Sequence, residues 1–222
     1  MTAHFVDLLD DIRRRSLRMA SLVEDMLQET CEALMEADPT LARRVVVRDG
    51  DVDSEEVAVE TEVIRLLALY QPVGFDLRLL CTVLKVNNDL ERIADCAVNI
   101  AERTRHLDAR ALSGQYKDLE QMGPIVKNML RNAVKAFGAA SVGDAQKVFF
   151  EEDAVDALYG QIIRRVVAEA PGSPDLVASF LDVLSVAKNF ERIADHTTNI
   201  AEDVVYLCTG KIVRHHMGQH RP

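Results

Sequence analysis

Residues 91–102 read ERIADCAVNIAE, and residues 191–202 read ERIADHTTNIAE. Nine of the twelve positions are identical at a constant offset of 100. At about 100° per residue, Ile93, Ala97 and Ile100 fall on one face with Val86 and Leu90, which predicts an amphipathic helix. Glu91, Asp95, Asn99 and Glu102 gather on a different face, within about 80° of arc. In the second copy Glu191, Asp195, Asn199 and Glu202 do the same. Packing alone accounts for repeated Ile and Ala. Repeated acids on a helix surface require another cause.

The repeat extends outward from this motif. VLKVNNDLERIAD (83–95) matches VLSVAKNFERIAD (183–195), while MASLVEDML (19–27) matches MGPIVKNML (122–130) at an offset of 103. RVVV (44–47) matches KVFF (147–150) at that same offset, so the chain is a duplicated unit with about three residues lost from its second copy. Breaks are expected at Asp38-Pro39, Gln71-Pro72-Val73-Gly74, Leu112-Ser113-Gly114, Gly143-Asp144 and Pro171-Gly172-Ser173-Pro174. Between them the apolar spacing predicts helices near 4–37, 39–70, 74–108, 115–141, 144–170 and 174–208. Ser173 is expected to cap the last of these, with Pro174 in its first turn. The expected fold is all-α: two tandem antiparallel three-helix bundles related by internal duplication. Residues 1–112 form the first, 113–210 the second and 211–222 a tail.

Bulk properties agree with this. The 222 residues include no Trp, and few aromatics and glycines beside abundant Ala, Leu, Val, Arg and Glu favour helix over sheet. A net charge of −10 argues against a nucleic-acid binder or direct adhesion to anionic membrane. No apolar run predicts a signal peptide or membrane span, so a cytoplasmic location is expected. Cys31, Cys81, Cys96 and Cys208 lack paired spacing and read as buried free thiols in a reducing compartment.

The second helix gives the acids opposing partners. It carries Asp49, Asp53, Glu56 and Glu60 beside a stripe of Val45, Val52, Val59 and Val63; the second copy has Glu152 and Asp156. Folding the first hairpin at Pro72 puts Asp53 and Glu91 nineteen residues from the turn, and Asp49 and Asp95 twenty-three. About the Ser173–Pro174 junction, Asp156 matches Glu191 and Glu152 matches Asp195. Equal counts at equal rise place these groups at equal heights. At roughly 6 Å and an effective dielectric near 20, such a pair repels by about 3 kcal/mol. Arg92 and Arg192 follow the glutamates but are expected to point about 100° away. A multivalent cation compensates more simply. Oxygen-only donors favour hard ions such as Mg, Mn, Fe or Ca, and clustered carboxylates can bridge several ions.

Other sites read poorly. Asp49 to Glu60 imitates a calcium loop, yet Ser54 replaces its sixth-position glycine and the segment is helical in pattern. None of the six histidines has Glu three residues before it, as a ferritin-like di-iron site requires. His196 reads as a packed or surface histidine, with a role at the metal as the alternative. The HHMGQH stretch (215–220) reads as a disordered end, and no phosphate-cradling glycine loop occurs.

QPVGFDLR (71–78), the two ER-I-A-D-x-x-x-N-I-A-E motifs and VVYLCTGKIVRHH (204–216) together resemble the PhoU family of phosphate-signalling regulators over essentially the whole chain. The resemblance implies two three-helix bundles whose acidic motifs hold multinuclear metal clusters. Iron is then the leading candidate, with Zn, Mn, Mg or Ca as alternatives. Carried over by motif, Glu91, Asp95, Glu191 and Asp195 are the leading ligands, and Asp49, Asp53, Glu152 and Asp156 their partners. Asn99, Asn199, Glu102 and Glu202 complete the candidate set.

The family implies a non-enzymatic negative regulator of phosphate uptake and of the phosphate-starvation response. Its partners would be the ATPase subunit of the phosphate ABC transporter and a sensor histidine kinase. Homodimerisation and peripheral recruitment to the inner face of the plasma membrane would accompany that role. The competing reading is a metal-free helical scaffold whose acidic faces meet a basic partner. The chain departs from many members at Ala94 and Ala194, where they have Gly. The second copy reads APGSPDLV (170–177) in place of QPVGFDLR, so any role of Arg78 is unduplicated. That residue is expected either to brace its turn through Asp76 or to touch a partner.

Overall fold

A computed structural model describes residues 3–104 and 117–213. Its helices are α1 (Ala3–Glu36), α2 (Pro39–Tyr70), α3 (Gly74–Thr104), α4 (Lys117–Ala139), α5 (Val142–Glu169) and α6 (Val177–Thr209). Two short 3-10 turns, Ala170–Gly172 and Pro174–Leu176, join α5 to α6. The expected boundary at 112–113 and the tail from 214 onward lie outside the described residues.

Local chemistry sets most helix ends. The Asp38 carboxylate accepts from the Thr40 and Leu41 backbone N–H groups at 2.7 and 3.3 Å, with Pro39 in the first turn of α2. Those bonds hold its carboxyl below the usual range, chiefly through Thr40. Gln71 closes α2 in the left-handed region, at φ 46°, and donates its N–H to Leu67 O. At the α4–α5 junction Ser141 Oγ accepts from Asp144 N at 3.2 Å, so α5 runs through Gly143. The break expected at Gly143-Asp144 therefore falls two residues earlier. A serine cap anchors the backbone more firmly than a glycine loosens it. Ser173 departs from expectation as well. Its carbonyl accepts from Leu176 N at 3.0 Å, which tightens Pro174–Leu176 into a 3-10 turn. Helix α6 then begins at Val177 without a side-chain cap.

Helices α1, α2 and α3 pack mutually, as do α4, α5 and α6. The most extensive interface, however, is α3 against α6, one helix from each triple. They run antiparallel: Lys85 meets Asp203 at 2.9 Å, Asp89 meets His196 at 2.8 Å and Arg103 meets Asp182 at 3.1 Å. The midpoint of that series falls at Ala94 on α3 and between Arg192 and Ile193 on α6, next to Ala194, and both alanines are buried. The two copies of ER-I-A-D thus cross at the centre of the molecule, where a small side chain permits close approach. Antiparallel contact between α1 and α4 forms a second seam, in which Arg13 donates to Gly138 O and Cys31 Sγ lies against Gly123. A Cβ at position 123 would stand 3.1 Å from that sulfur. One hydrophobic core runs through all six helices, including Val45, Val52, Val59 and Val63 of α2 and Ile93, Ala97 and Ile100 of α3.

The cysteines sort by depth. Cys31 and Cys96 are buried and Cys81 and Cys208 are half-buried, all of them free thiols. Burial pushes Cys31 up to about 12 and Cys96 up to about 11.

Candidate functional site

The α2–α3 hairpin is aligned by packing and by one buried side chain: Asn87 of α3 donates Nδ2 to the Glu56 carbonyl of α2 at 3.0 Å. With the valine stripe of α2 turned inward, Asp49, Asp53 and Glu56 border α3 beside Glu91 and Asp95. The charges register this placement. The Asp49 carboxyl is pushed up by burial and by the Asp53 and Asp95 charges. Glu91 is raised by burial, Asp95, Asp53 and Glu56, against the opposing pull of Arg92. Burial also raises Glu56, followed by Glu60 and Asp53. Equal counting from the turn predicts these same cross-helix partners.

The second half repeats the arrangement between α5 and α6. Burial, Asp156 and Asp195 push Glu152 up to about 6, with the Thr198 hydroxyl opposing. Asp195 has more than a third of its surface in water, yet the surrounding helices, then Glu191 and Asp156, raise it. Both halves therefore concentrate negative charge between two helices, where desolvation disfavours it.

Two residues answer that charge in ways the sequence did not announce. Arg92 does not point away. Its Nε lies 2.9 Å from Glu91 Oε2 and its Nη1 donates to Asp95 Oδ2 at 2.9 Å, spanning both acids of the motif. A long guanidinium side chain folds back along the helix and overcomes the 100° between Cα directions. The other half employs Lys188, one turn before the motif, whose Nζ donates to Glu191 and sits 5.5 Å from the Tyr159 ring. Tyr159 is the repeat equivalent of Glu56 at the offset of 103. The signal for Lys188 was its i,i+3 spacing to Glu191, and that for Glu56 its register with Asp49 and Asp53.

Of the remaining candidates, Asn99 and Glu102 stand exposed on α3, and Glu202 is half-buried on α6. Asn199 faces elsewhere: it donates Nδ2 to Asp89 Oδ1 at 3.4 Å across the α3–α6 seam, beside His196 Nδ1. Asp89 was not foreseen, and its signal was hidden in the repeat. Buried Asp89 and half-buried His196 are replaced in the other copy by Asn189 and Cys96, so both members of the pair differ between the repeats. Arg78 also departs from expectation. Its Nε donates to Leu207 O at 3.2 Å near Gly210, and its guanidinium lies 5.9 Å from the Phe75 ring. It fastens the end of α6 rather than bracing Asp76.

Among the described residues, no group of three or more His, Cys, Asp or Glu stands close enough to share one ion. The donor chemistry nevertheless fits a hard cation: oxygen donors only, contributed by two helices, mutually repelling and partly desolvated.

The PhoU domain family matches residues 16–104 and again 119–204, once in each half. The chain belongs to the PhoU family. A PhoU homolog of the phosphate-specific transport system from Clostridium acetobutylicum is 34% identical over 206 residues, covering 92% of this chain and 94% of its own. One from Aquifex aeolicus is 36% identical over 207 residues, covering 93% and 94%. The crystal structure of PhoU from Pseudomonas aeruginosa superposes with a TM-score of 0.89 at 32% identity, over 93% of this chain and 100% of that one. The phosphate transport system regulatory protein PhoU from Streptococcus pneumoniae gives 0.85 at 26% identity, over 94% and 99%. The two PhoU-domain matches coincide with the two helix triples, in agreement with internal duplication of an all-α unit.

Proposed function

We propose that this chain is an accessory regulator of a phosphate-specific transport system, acting as a metal-binding adaptor rather than an enzyme. Full-length likeness to proteins named for that role carries the reading, since it spans both repeats. Its finer form is a negative regulator of phosphate uptake and of the starvation response. Long helical faces would join the transporter's ATPase subunit to a sensor histidine kinase at the inner face of the membrane, with the chain as a homodimer. No described helix is long and apolar enough to cross a membrane, which suits recruitment by partners.

The two opposed carboxylate sets support multinuclear metal binding, with iron foremost. Asp49, Asp53, Glu56, Glu91 and Asp95 would hold the ions of the first half, and Glu152, Asp156, Glu191 and Asp195 those of the second. Bound cations would relieve the repulsion between helices and favour one shape, and ligands that bind one shape preferentially shift its population.

Two measurements test the proposal. Affinity capture from phosphate-replete and phosphate-starved cells should recover the ATPase subunit and the kinase; recovery of neither rejects the adaptor role. Elemental analysis of the purified chain should find metal that E91A/D95A removes from the first half. Unchanged metal content in that variant rejects these ligands. A chain that recovers partners yet holds no metal is the metal-free scaffold.

A further inference from the structure

We infer that Arg92 and Lys188 are displaceable internal cations, each occupying the carboxylates of its own half until a metal ion takes its place. The inference rests on the metal reading above and specifies how those sites are controlled. Two observations carry it. First, Arg92 engages Glu91 and Asp95 together, the two acids of the motif that an ion would need to share. Second, Lys188 performs the same service for Glu191 from a different position and a different chemistry, so two unrelated residues converge on one task.

Both cations can leave without disturbing the core. The Arg92 and Lys188 side chains are 47% and 46% exposed, so either swings into water at small cost. The halves are unequal, because Arg92 holds two carboxylates by a planar fork and Lys188 holds one by a point charge. Lys188 also has a resting place over Tyr159, where the first half has a further acid, Glu56. Arg192 sharpens the contrast: it shares the motif position of Arg92 but forms no ion pair within 4.0 Å among the described residues.

The experiment measures free Mn2+ by its electron paramagnetic resonance signal during titration, and repeats this anaerobically with Fe2+. Each half is read with the other disabled: R92Q in an E191Q/D195N chain, K188Q in an E91Q/D95N chain. Removing the internal cation should tighten binding roughly fivefold to thirtyfold, the scale of one or two partly exposed ion pairs. The R192Q variant, tested with Lys188 intact, should change binding less than about twofold. Circular dichroism of each variant checks that the helices persist. Affinity that is unchanged or weaker in both R92Q and K188Q overturns the inference while leaving the metal reading in place. An equal gain in R192Q overturns it too, by reducing the effect to net charge. If the parent chains bind neither ion, the inference and the metal reading fall together.

Discussion

At the scale of single residues, the decisive property is charge held where water is scarce. The Glu152 carboxyl is raised from an ordinary 4.5 to about 6, so the folded chain retains its proton at higher pH than the unfolded chain. Folding is then favoured as pH falls through 6 towards 4.5, and the ionised group opposes folding above 6. A shift of that size corresponds to about 2 kcal/mol, and solvent screening of a half-exposed group reduces it to about 1. In metal-free protein at pH 7.5, E152Q should therefore raise the unfolding midpoint by about 2–4 °C. With metal added, the same variant should lose part of the stabilisation that the parent gains. A second residue-scale prediction concerns the seam. His196→Ala leaves the buried Asp89 carboxylate with only the longer bond from Asn199 and should cost about 1–3 kcal/mol in urea unfolding. The double change D89N/H196C, which installs the other copy's pair, should cost less than the sum of its single changes. Additive costs would show that the two positions are not coupled.

Helices fail or hold at their ends and at their closest approaches. Ala140 ends α4 at φ 49°, a conformation that costs an L side chain about 1 kcal/mol and glycine very little. Ala140→Gly should accordingly stabilise the chain by about 0.5–1 kcal/mol by chemical denaturation, provided the Cys208 Sγ contact to its carbonyl persists. Gly123 poses the opposite problem. Alanine inside a helix is favoured by about 0.5–1 kcal/mol over glycine, but here its methyl would crowd Cys31 Sγ. G123A should destabilise the parent, and the sign should reverse when it is introduced into C31A. Stabilisation in both backgrounds would mean that α1 and α4 separate easily.

Over the whole molecule, the α3–α6 seam and the continuous core oppose independent behaviour of the two halves. The metal-free chain should unfold in urea as one transition seen alike by helix content and by a tyrosine probe; separate transitions would show that the seam is weak. On the metal-binding proposal, an ion at about one hundred times its dissociation constant should add about 2.7 kcal/mol per independent site, reversed by chelation. Stabilisation should reach both triples, because α3 and α6 each carry carboxylates of one proposed site while packing against each other.

The duplication, the six helices and most of their ends were legible in the sequence, because apolar spacing and caps such as Asp38 act within a few residues. Pairing of Asp49 with Asp95, of Asp53 with Glu91 and of Glu152 with Asp195 was legible too, since hairpin arms of equal rise fix height by counting. What counting cannot supply is the direction of long or cross-seam side chains. The fold-back of Arg92, the service of Lys188, the turn of Asn199 towards Asp89 and the use of Arg78 at the end of α6 all depend on charges brought near by other helices. Spacing along the chain sets which residues share a face and a level. Which of them answer one another follows from the packing of the helices, because electrostatic contacts depend on distance in space, and residues 107 apart in the chain, Asp89 and His196, meet at 2.8 Å.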